Sequence, residues 1–424
     1  MLDPKSLAER RDEIAASCRR RGVTADVDGA VALQAQVAAK QTELNEANRR
    51  RNEHQEAGKR LPPDERAAHG LEGRALKEAV SRIEAELAAQ RARFEEAIAK
   101  LPNFIHPAVP DGGEDDAREL SRWGEPRRFA FAALDHVQLG QRLDLLDFDG
   151  GAKVAGQKFY YLKNEAVLLE LALQRYALDV LLEEGFTPYV TPDVARPAIV
   201  DGLGYNPRGA ETQIYSLANE DLCLVGTAEI TLGGLYADAI VQEDELPLQL
   251  AGVSHCFRTE AGAAGRESKG LYRVHQFTKV EMFAITRPED SDAMHARLLA
   301  IEERIFQGLE LPYRVVDIAA GDLGAPAYRK FDIEAWMPGR GEGGAYGEIS
   351  STSNCTDYQA RRLQTRFRRK GAKKNEYVHM LNGTAVSNAR AILAVLENHQ
   401  QADGSVAVPR ALRAYVGRDV IGPR

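Results

Sequence analysis

The feature that most limits the fold of this chain is a pair of apolar rows between Gly29 and Lys100. Leu76, Val80, Ile83, Leu87, Phe94, Ile98 and Leu101 step by four and three with one position skipped, and a sparser row runs through Leu33, Val37, Leu44 and Ala47. A repeat of period 3.5 keeps each row on one narrow stripe of a helix, and such a stripe is buried only against a second one. Gly58-Lys59-Arg60-Leu61-Pro62-Pro63-Asp64 separates the rows and breaks helix in both directions. The pattern predicts an antiparallel helical hairpin over about residues 29–100, each helix of roughly 30 residues reaching about 45 Å. Towards the turn the seam positions become Asn48, Arg51 and Asn52, so the tip is expected to be held less tightly than the base.

A spacer or dimerisation coiled coil has the same pattern. Over residues 29–100, 13 Lys or Arg face 12 Asp or Glu, which gives no general affinity for polyanions. The tip differs: Arg49, Arg50, Arg51, Lys59 and Arg60 outnumber Glu53 and Glu56, a balance suited to an RNA backbone. The whole chain carries a formal charge of -8, so a nucleic acid must be met by such local patches or by shape.

No apolar run approaches the roughly 20 residues that span a bilayer, and Met1-Leu2-Asp3-Pro4-Lys5 has no signal-peptide pattern. A cytoplasmic protein with no membrane partner is expected. Cys18, Cys223, Cys256 and Cys355 include no close pair, so neither a disulfide framework nor a zinc knuckle is supported and no zinc is expected.

Beyond the hairpin, Pro102, Pro107, Pro110, Gly112 and Gly113 with the acids that follow read as a linker, placed at 106–130. A short helical run lies around Leu134 to Leu145. Val167 to Tyr176 forms a strong amphipathic helix ending near Glu184-Gly185, and Phe186-Thr187-Pro188-Tyr189-Val190-Thr191-Pro192 alternates like a strand that its prolines confine to an edge or an ending. Val225-Gly226-Thr227-Ala228-Glu229 opens an apolar helix, where Thr and Glu are ordinary capping residues.

Phe257-Arg258-Thr259-Glu260 ends an alternating run. In a strand Arg258 and Glu260 would share one face, a cradle for a nucleotide. The glycine-rich segment 261–270 reads as a mobile loop between two strands of a hairpin, the second being Gln276-Phe277-Thr278-Lys279-Val280-Glu281-Met282-Phe283. On that strand Glu281 alone could be a solvent-face residue. Phe331 to Pro338 is a strand with one acidic face, followed by a turn at Gly339 to Gly344 and by Glu348-Ile349-Ser350-Ser351. Acids on adjacent strands beside hydroxyls suit Mg²⁺ bound together with nucleotide phosphates, although an exposed hydroxyl-rich strand has the same letters. Arg361 to Lys374 holds eight basic residues and no acid, compatible with a solvated hairpin or a path for an RNA end. Val378 to Arg390 gives a strand, Gly383, and a helix with an arginine in its first turns.

Arg-x-Glu, a loop, then His275-Gln276-Phe277 resembles motif 2 of the class II aminoacyl-tRNA synthetases. The wording Phe-Arg-Thr-Glu-Ala-Gly at 257–262 is similar to that of the seryl-tRNA synthetases. The helix, glycine, strand and proline around 167–192 resemble motif 1, which builds a dimer interface, and 378–390 resembles motif 3. The resemblance implies an α+β fold. A class II catalytic domain (131–424), an antiparallel sheet flanked by helices, would carry an N-terminal tRNA-binding domain (1–105) with the coiled-coil arm, in a homodimer.

The implied reaction joins L-serine to ATP as seryl-adenylate, then transfers serine to tRNA(Ser) and, in this family, also to tRNA(Sec). The resemblance places Arg258 at the α-phosphate and the serine carboxylate, and Glu260 on the adenine side. Thr227 and Glu229 fall at the serine amino group, Glu281 and Thr384 at its hydroxyl, and Arg390 at the γ-phosphate. Glu348 and Ser351 fall at Mg²⁺, with Val274, Phe277, Ile349 and Ser350 completing the ATP site. Arg258, Glu348 and Arg390 are the implied catalytic residues, and the basic tip of the arm is the implied grip on tRNA. Two departures stand: Thr384 where the family often has serine, and a less glycine-rich 385–388. About 35 residues follow Arg390, too few for the anticodon-binding domain of the threonyl, prolyl and glycyl relatives. The competing readings are a seryl-adenylate-forming paralogue that loads another acceptor and an inactive homologue acting as a binding protein.

Overall fold

The computed structural model describes residues 1–206, 212–260 and 269–423, in two compact units, Met1–Phe104 and Ile105–Arg424. Most of the segment read as a mobile loop, residues 261–268, lies outside the described residues.

The first unit has a short helix α1 (Arg11–Arg20) and two long ones, α2 (Val27–Gly58) and α3 (Arg66–Ala99), each about 50 Å long. Asp26 caps α2 by accepting from the Gly29 amide at 2.7 Å. Val80, Ile83, Leu87, Phe94 and Ile98 of α3 are buried, whereas α2 buries only Val27 and Ala30 and leaves Leu33, Val37, Leu44 and Ala47 half-buried. The dry part of the seam therefore sits at the base. Farther out the helices are joined by polar contacts, Lys40 to Glu86 at 2.9 Å and Arg91 to the Gln41 carbonyl at 2.6 Å. Near the tip the His54 and His69 rings stack with centroids 3.6 Å apart. Arg50 and Arg60 are exposed, Arg49 and Lys59 pair with Glu53 (3.8 Å) and Glu56 (2.6 Å), and Arg51 is half-buried in the seam.

The second unit is built on an eight-stranded sheet. Its strands are β1 (Arg118–Trp123), β2 (Thr187–Val190), β3 (Leu248–Phe257), β4 (Gln276–Thr286), β5 (Tyr313–Asp317), β6 (Arg329–Met337), β7 (Ala345–Asn354) and β8 (His379–Ser387). They lie in the order β1-β5-β6-β7-β8-β4-β3-β2, and every neighbouring pair is antiparallel except β2 with β3. Pro188 sits on the terminal strand β2, where a missing amide costs no ladder bond. Helices α4 (Glu165–Glu183), α6 (Ser291–Gly308) and α7 (Asn388–His399) pack on this sheet through one large core that includes Leu169, Leu173, Leu298, Ile305, Ile392 and Val395. A second core joins Leu232 of α5 (Ala228–Gly234) to Leu250, Phe283 and Met380.

The stretch 106–130 is not a linker along its length. Within it β1 pairs with β5, Arg118 binds Asp317 at 2.8 Å, Trp123 stacks on Tyr313, and Val109 joins a cluster with Val316 and Ile318. All six residues of β1 are exposed, so the segment has no apolar alternation, and its proline, glycine and acid content is all that the sequence offers.

Gly252 on β3 lets α5 lie close on the sheet. A Cβ there would fall 2.7 Å from the Ala228 Cβ and 2.9 Å from Leu232, closer than packed carbons approach. Gly252→Ala is therefore expected to cost about 1–3 kcal/mol through overpacking, seen as a lower midpoint in thermal or denaturant unfolding; an unchanged midpoint would show that α5 shifts freely.

Candidate active site

A cleft of about 680 Å³ opens on the sheet, lined by Arg258, Glu229, Glu281, Lys279, Thr384, Glu348 and Ser351 among others. A smaller recess of about 70 Å³ shares Arg258, Glu260, Glu348 and Thr384 with it and adds Val274, Phe277, Ile349, Ser350 and Arg390. Each of the sequence-predicted cleft residues except Thr227 lines one of these two spaces. Thr227 is buried as the N-cap of α5, its hydroxyl accepting from the Glu229 amide at 3.2 Å. The capping reading of Thr227 is thus correct and sets where Glu229 points.

Glu229 is buried and accepts three hydrogen bonds at 2.7 Å, from the Tyr205 hydroxyl and from the side-chain amides of Gln359 and Asn382. Burial pushes this carboxyl up from its ordinary range, and the nearby Glu281 pushes it further, against Tyr205, Gln359 and the more distant charge of Lys279. The site around Glu229 therefore favours a cation. Tyr205, Gln359 and Asn382 come from three separate segments, and nothing local in the sequence points to them.

Glu281 is buried, not a solvent-face residue. Lys279 lies 2.5 Å from it, and the Thr384 hydroxyl donates to it at 3.2 Å. The register explains the grouping: Glu281 on β4 stands opposite Thr384 on β8 and opposite Gly252 on β3. Lys279 sits two residues before Glu281 on the same face, a signal that the sequence contains and that alternation alone could have used.

Arg258 and Glu260 do not share a strand face. The strand ends at Phe257, and Glu260 has a left-handed backbone (φ 53°) that no alternation argument anticipates. Both still reach the cleft. Arg258 donates to the Gly226 carbonyl at 3.3 Å and lies over the Phe277 ring at 5.4 Å, while Glu260 pairs with Arg273 at 3.3 Å. On the far side of residues 261–268, Lys269 binds Asp135 at 2.5 Å, and the Leu271 amide donates to His136 Nε2. His136 Nδ1 therefore carries the proton and donates to Glu397 of α7 at 2.8 Å.

Arg390, in the first turn of α7, binds the Glu348 carboxylate at 3.1 Å and donates to the Tyr272 carbonyl at 3.4 Å. Burial opposes the charged form of Glu348, but Arg390 and Lys330 outweigh it and hold this carboxyl below its ordinary range. Its neighbour Asp332 goes the other way, raised by burial and by Glu348 although Lys330 lies 3.1 Å away. Asp332 stands opposite Ser351 in the ladder and keeps one carboxyl oxygen buried with no hydrogen bond. Two carboxyl groups, one of them with an unsatisfied oxygen, and the Ser351 hydroxyl make a donor set that a hard, oxygen-loving cation such as Mg²⁺ fits. The Ser350 hydroxyl is turned elsewhere, donating to the Thr384 carbonyl at 2.5 Å.

Beneath this floor lies Glu302 of α6, fully buried, with neither carboxyl oxygen hydrogen-bonded. The Ser350 hydroxyl beside it is already committed to Thr384. Burial drives its pKa well upward, which favours the neutral acid.

The N-terminal 105 residues match a family model described as the seryl-tRNA synthetase N-terminal domain, and residues 214–399 match the tRNA synthetase class II core domain (G, H, P, S and T). The chain is 53% identical to the serine–tRNA ligase of Treponema denticola, over 100% of both chains. Among solved structures it resembles the seryl-tRNA synthetase of Pyrococcus horikoshii complexed with ATP (TM-score 0.92, 40% identity, all of both chains). It also resembles the cytoplasmic serine–tRNA ligase of Naegleria fowleri in complex with AMP (TM-score 0.88, 31% identity, 100% and 99% of the two chains).

A carboxyl raised by burial favours the folded state at low pH. Its contribution is lost as pH rises above the unfolded value near 4.3, where only the unfolded chain releases the proton freely. Glu302→Gln removes that titration. Its thermal midpoint relative to the parent protein should therefore rise with pH above about 5, by the equivalent of about 1.4 kcal/mol for each pH unit over which the folded protein keeps that proton; a difference that is constant with pH would show that burial does not hold the proton on Glu302.

Proposed function

Because the chain belongs to the seryl-tRNA synthetases, we propose that the cleft holds serine against Glu229, Glu281 and Thr384 and holds ATP between Arg258 and Arg390. The chain is an ATP-dependent class II aminoacyl-tRNA synthetase that ligates serine to tRNA. Full-length similarity to serine–tRNA ligases does not favour a paralogue with another acceptor or an inactive binding protein. The observation that carries the residue assignments is the convergence of two buried carboxylates, one met only by neutral donors and one beside a hydroxyl, next to Arg258 in a single cleft.

The serine ammonium would supply the cation that Glu229 lacks, since a charged hydrogen bond offsets the desolvation of both partners. The serine hydroxyl would meet Glu281 and Thr384. With the amino acid so held, its carboxylate attacks the α-phosphorus of ATP; an O–P bond forms, the bond to the β-phosphate oxygen breaks, and pyrophosphate leaves. Arg258 neutralises the α-phosphate and Arg390 the γ-phosphate, while Glu260, Val274, Phe277, Ile349 and Ser350 bound the nucleotide. Mg²⁺, where bound, would be held by Glu348 and Ser351 and would neutralise phosphate charge. In the second step a hydroxyl of the terminal tRNA ribose attacks the seryl carbonyl and AMP departs. No covalent enzyme intermediate is required, so positioning and preorganised charge carry the catalysis.

The arm, with Arg49, Arg50, Arg51, Lys59 and Arg60 at its tip, is the tRNA contact in this reading, for tRNA(Ser) and for tRNA(Sec) where a host has one. Residues 1–105 would form the tRNA-binding domain and residues 131–424 the catalytic domain. A homodimer fits a catalytic unit that leaves Val190, Val154, Leu171 and Tyr161 exposed around a second depression of about 720 Å³. No helix among the described residues is long and apolar enough to cross a membrane, and a cytoplasmic site of action suits tRNA charging.

Two measurements test this reading. A site built to pair a hydroxyl leaves its own polar groups unsatisfied when alanine enters, an asymmetry that can reach about 10⁴. Glu281→Ala should raise the Michaelis constant for serine and flatten its preference over alanine in pyrophosphate exchange, with ATP binding little changed. Wild-type selectivity in that variant would move the pocket elsewhere. Replacing Arg49, Arg50 and Arg60 by Glu should leave serine-dependent pyrophosphate exchange intact and cut tRNA charging by at least about tenfold, with a shallower salt dependence; undiminished charging would remove the tip from the tRNA site.

A further inference from the structure

The cysteine spacing that argues against a zinc knuckle says nothing about histidine, and two histidines meet where the hairpin seam has lost its apolar residues. His54 is on α2 and His69 on α3, with Glu72 one turn further along α3. One ligating atom from each of the three lies within 4.8 Å of the other two. His54 Nε2 is 3.0 Å from the His69 carbonyl, which can only accept, so that nitrogen carries the proton. In the neutral ring His54 Nδ1 then keeps its lone pair, 3.7 Å from the Glu72 carboxylate. That gap is too long for a hydrogen bond and close to the separation of about 3.4 Å between two ligands each about 2.0–2.1 Å from one tetrahedral ion. A ring N–H donating to a main-chain carbonyl is also the outer contact that orients metal-binding imidazoles.

The helices are shaped around the two rings. A Cβ at Gly58 would fall 2.4 Å from His69 Nε2, and one at Gly73 would fall 3.3 Å from His54 Nε2. Each imidazole thus lies over a glycine of the opposite helix: Gly58 ends α2, and Gly73 lies inside α3, where glycine costs about 1 kcal/mol relative to alanine. The ring nitrogens of His54 and His69 and the exposed carboxylate of Glu72 form a two-histidine, one-carboxylate set; because imidazole lone pairs lie in the ring planes, one ring turns out of the stack for both to meet a single ion.

We propose that His54, His69 and Glu72 bind a divalent transition-metal ion of the zinc class, which clamps α2 to α3 near the tip of the arm. Imidazole and carboxylate ligands suit Zn²⁺ and exclude the all-oxygen preference of Mg²⁺. The ion replaces the missing apolar seam with a cross-link between helices and converts the negative charge of Glu72 into a net positive one at the end that carries the basic residues. The site does not depend on the assignments in the cleft.

The test titrates tag-free, metal-stripped full-length protein with zinc chloride by calorimetry and follows hydrogen exchange over residues 48–75. Stoichiometric binding, one zinc per chain, is expected with slower exchange at the tip. His54→Gln and His69→Gln, which keep a polar side chain of similar length but lack the imidazole, should each weaken binding by at least about tenfold and abolish the exchange effect. Their circular dichroism and serine-dependent pyrophosphate exchange should be unchanged. Equal zinc affinity in the parent and the double variant would overturn the site, and stoichiometric binding without slower exchange at the tip would overturn the clamp.

Discussion

Four carboxyl groups removed from water within one small region, Glu229, Glu281, Glu302 and Asp332, set the terms on which this catalytic unit folds. Burial of an ionised carboxylate costs several kcal/mol unless a partner is near. Lys279 stands beside Glu281 and Lys330 beside Asp332, so two of the four are matched by a cation. Neither oxygen of Glu302 is hydrogen-bonded, and burial favours its neutral form. Glu229 has three neutral donors and opens on the cleft. The fold thus sorts one kind of side chain into three states by what it places beside each, and of the two without a paired cation, Glu229 is the one that lines the cleft, where a ligand ammonium can reach it.

The sheet makes this sorting possible. Glu281 and Thr384 become partners because β4 and β8 run side by side in a fixed register, and Glu229 reaches the same cleft because glycine at 252 lets α5 sit close to β3. Around residues 261–268 the chain is tied at both flanks, by Glu260 to Arg273 on one side and through Leu271, His136 and Glu397 to α7 on the other. The helix that presents Arg390 therefore also anchors Leu271, on the far flank of that segment. Motifs far apart in sequence are coupled through one protonated imidazole nitrogen.

Much of this was legible in the sequence, for reasons that differ from residue to residue. The hairpin seam was readable because it is periodic, and Arg258, Glu348 and Arg390 because they sit in local patterns that resemble a known order of motifs. Tyr205, Gln359 and Asn382 were not readable, since they converge on Glu229 only through tertiary folding. The strand at Arg118–Trp123 escaped because all six of its residues are exposed, so no apolar alternation marks it, and the contacts of Arg118 and Trp123 with β5 form only in the fold. Glu260 was placed in the right cleft for the wrong reason: a left-handed backbone aims it there, and strand alternation plays no part. The basic run 361–374 was ambiguous in sequence, and the structure divides it. Arg361, Arg362 and Arg369 are engaged by Asp357, Asp201 and Glu289, while Arg368, Lys370, Lys373 and Lys374 remain exposed.

The uneven burial along the helical hairpin has a mechanical meaning. Apolar side chains are concentrated in the half of α3 nearest its C-terminus, and polar or stacked contacts take over towards residues 50–70. The free energy of local opening should therefore decline along the length of the arm, from a stiff root to a compliant end. Such a gradient makes the hairpin a tapered spring. A load applied at the turn is absorbed in the outer turns before it strains the root, so the tip can adapt to a surface without registering every displacement at the base.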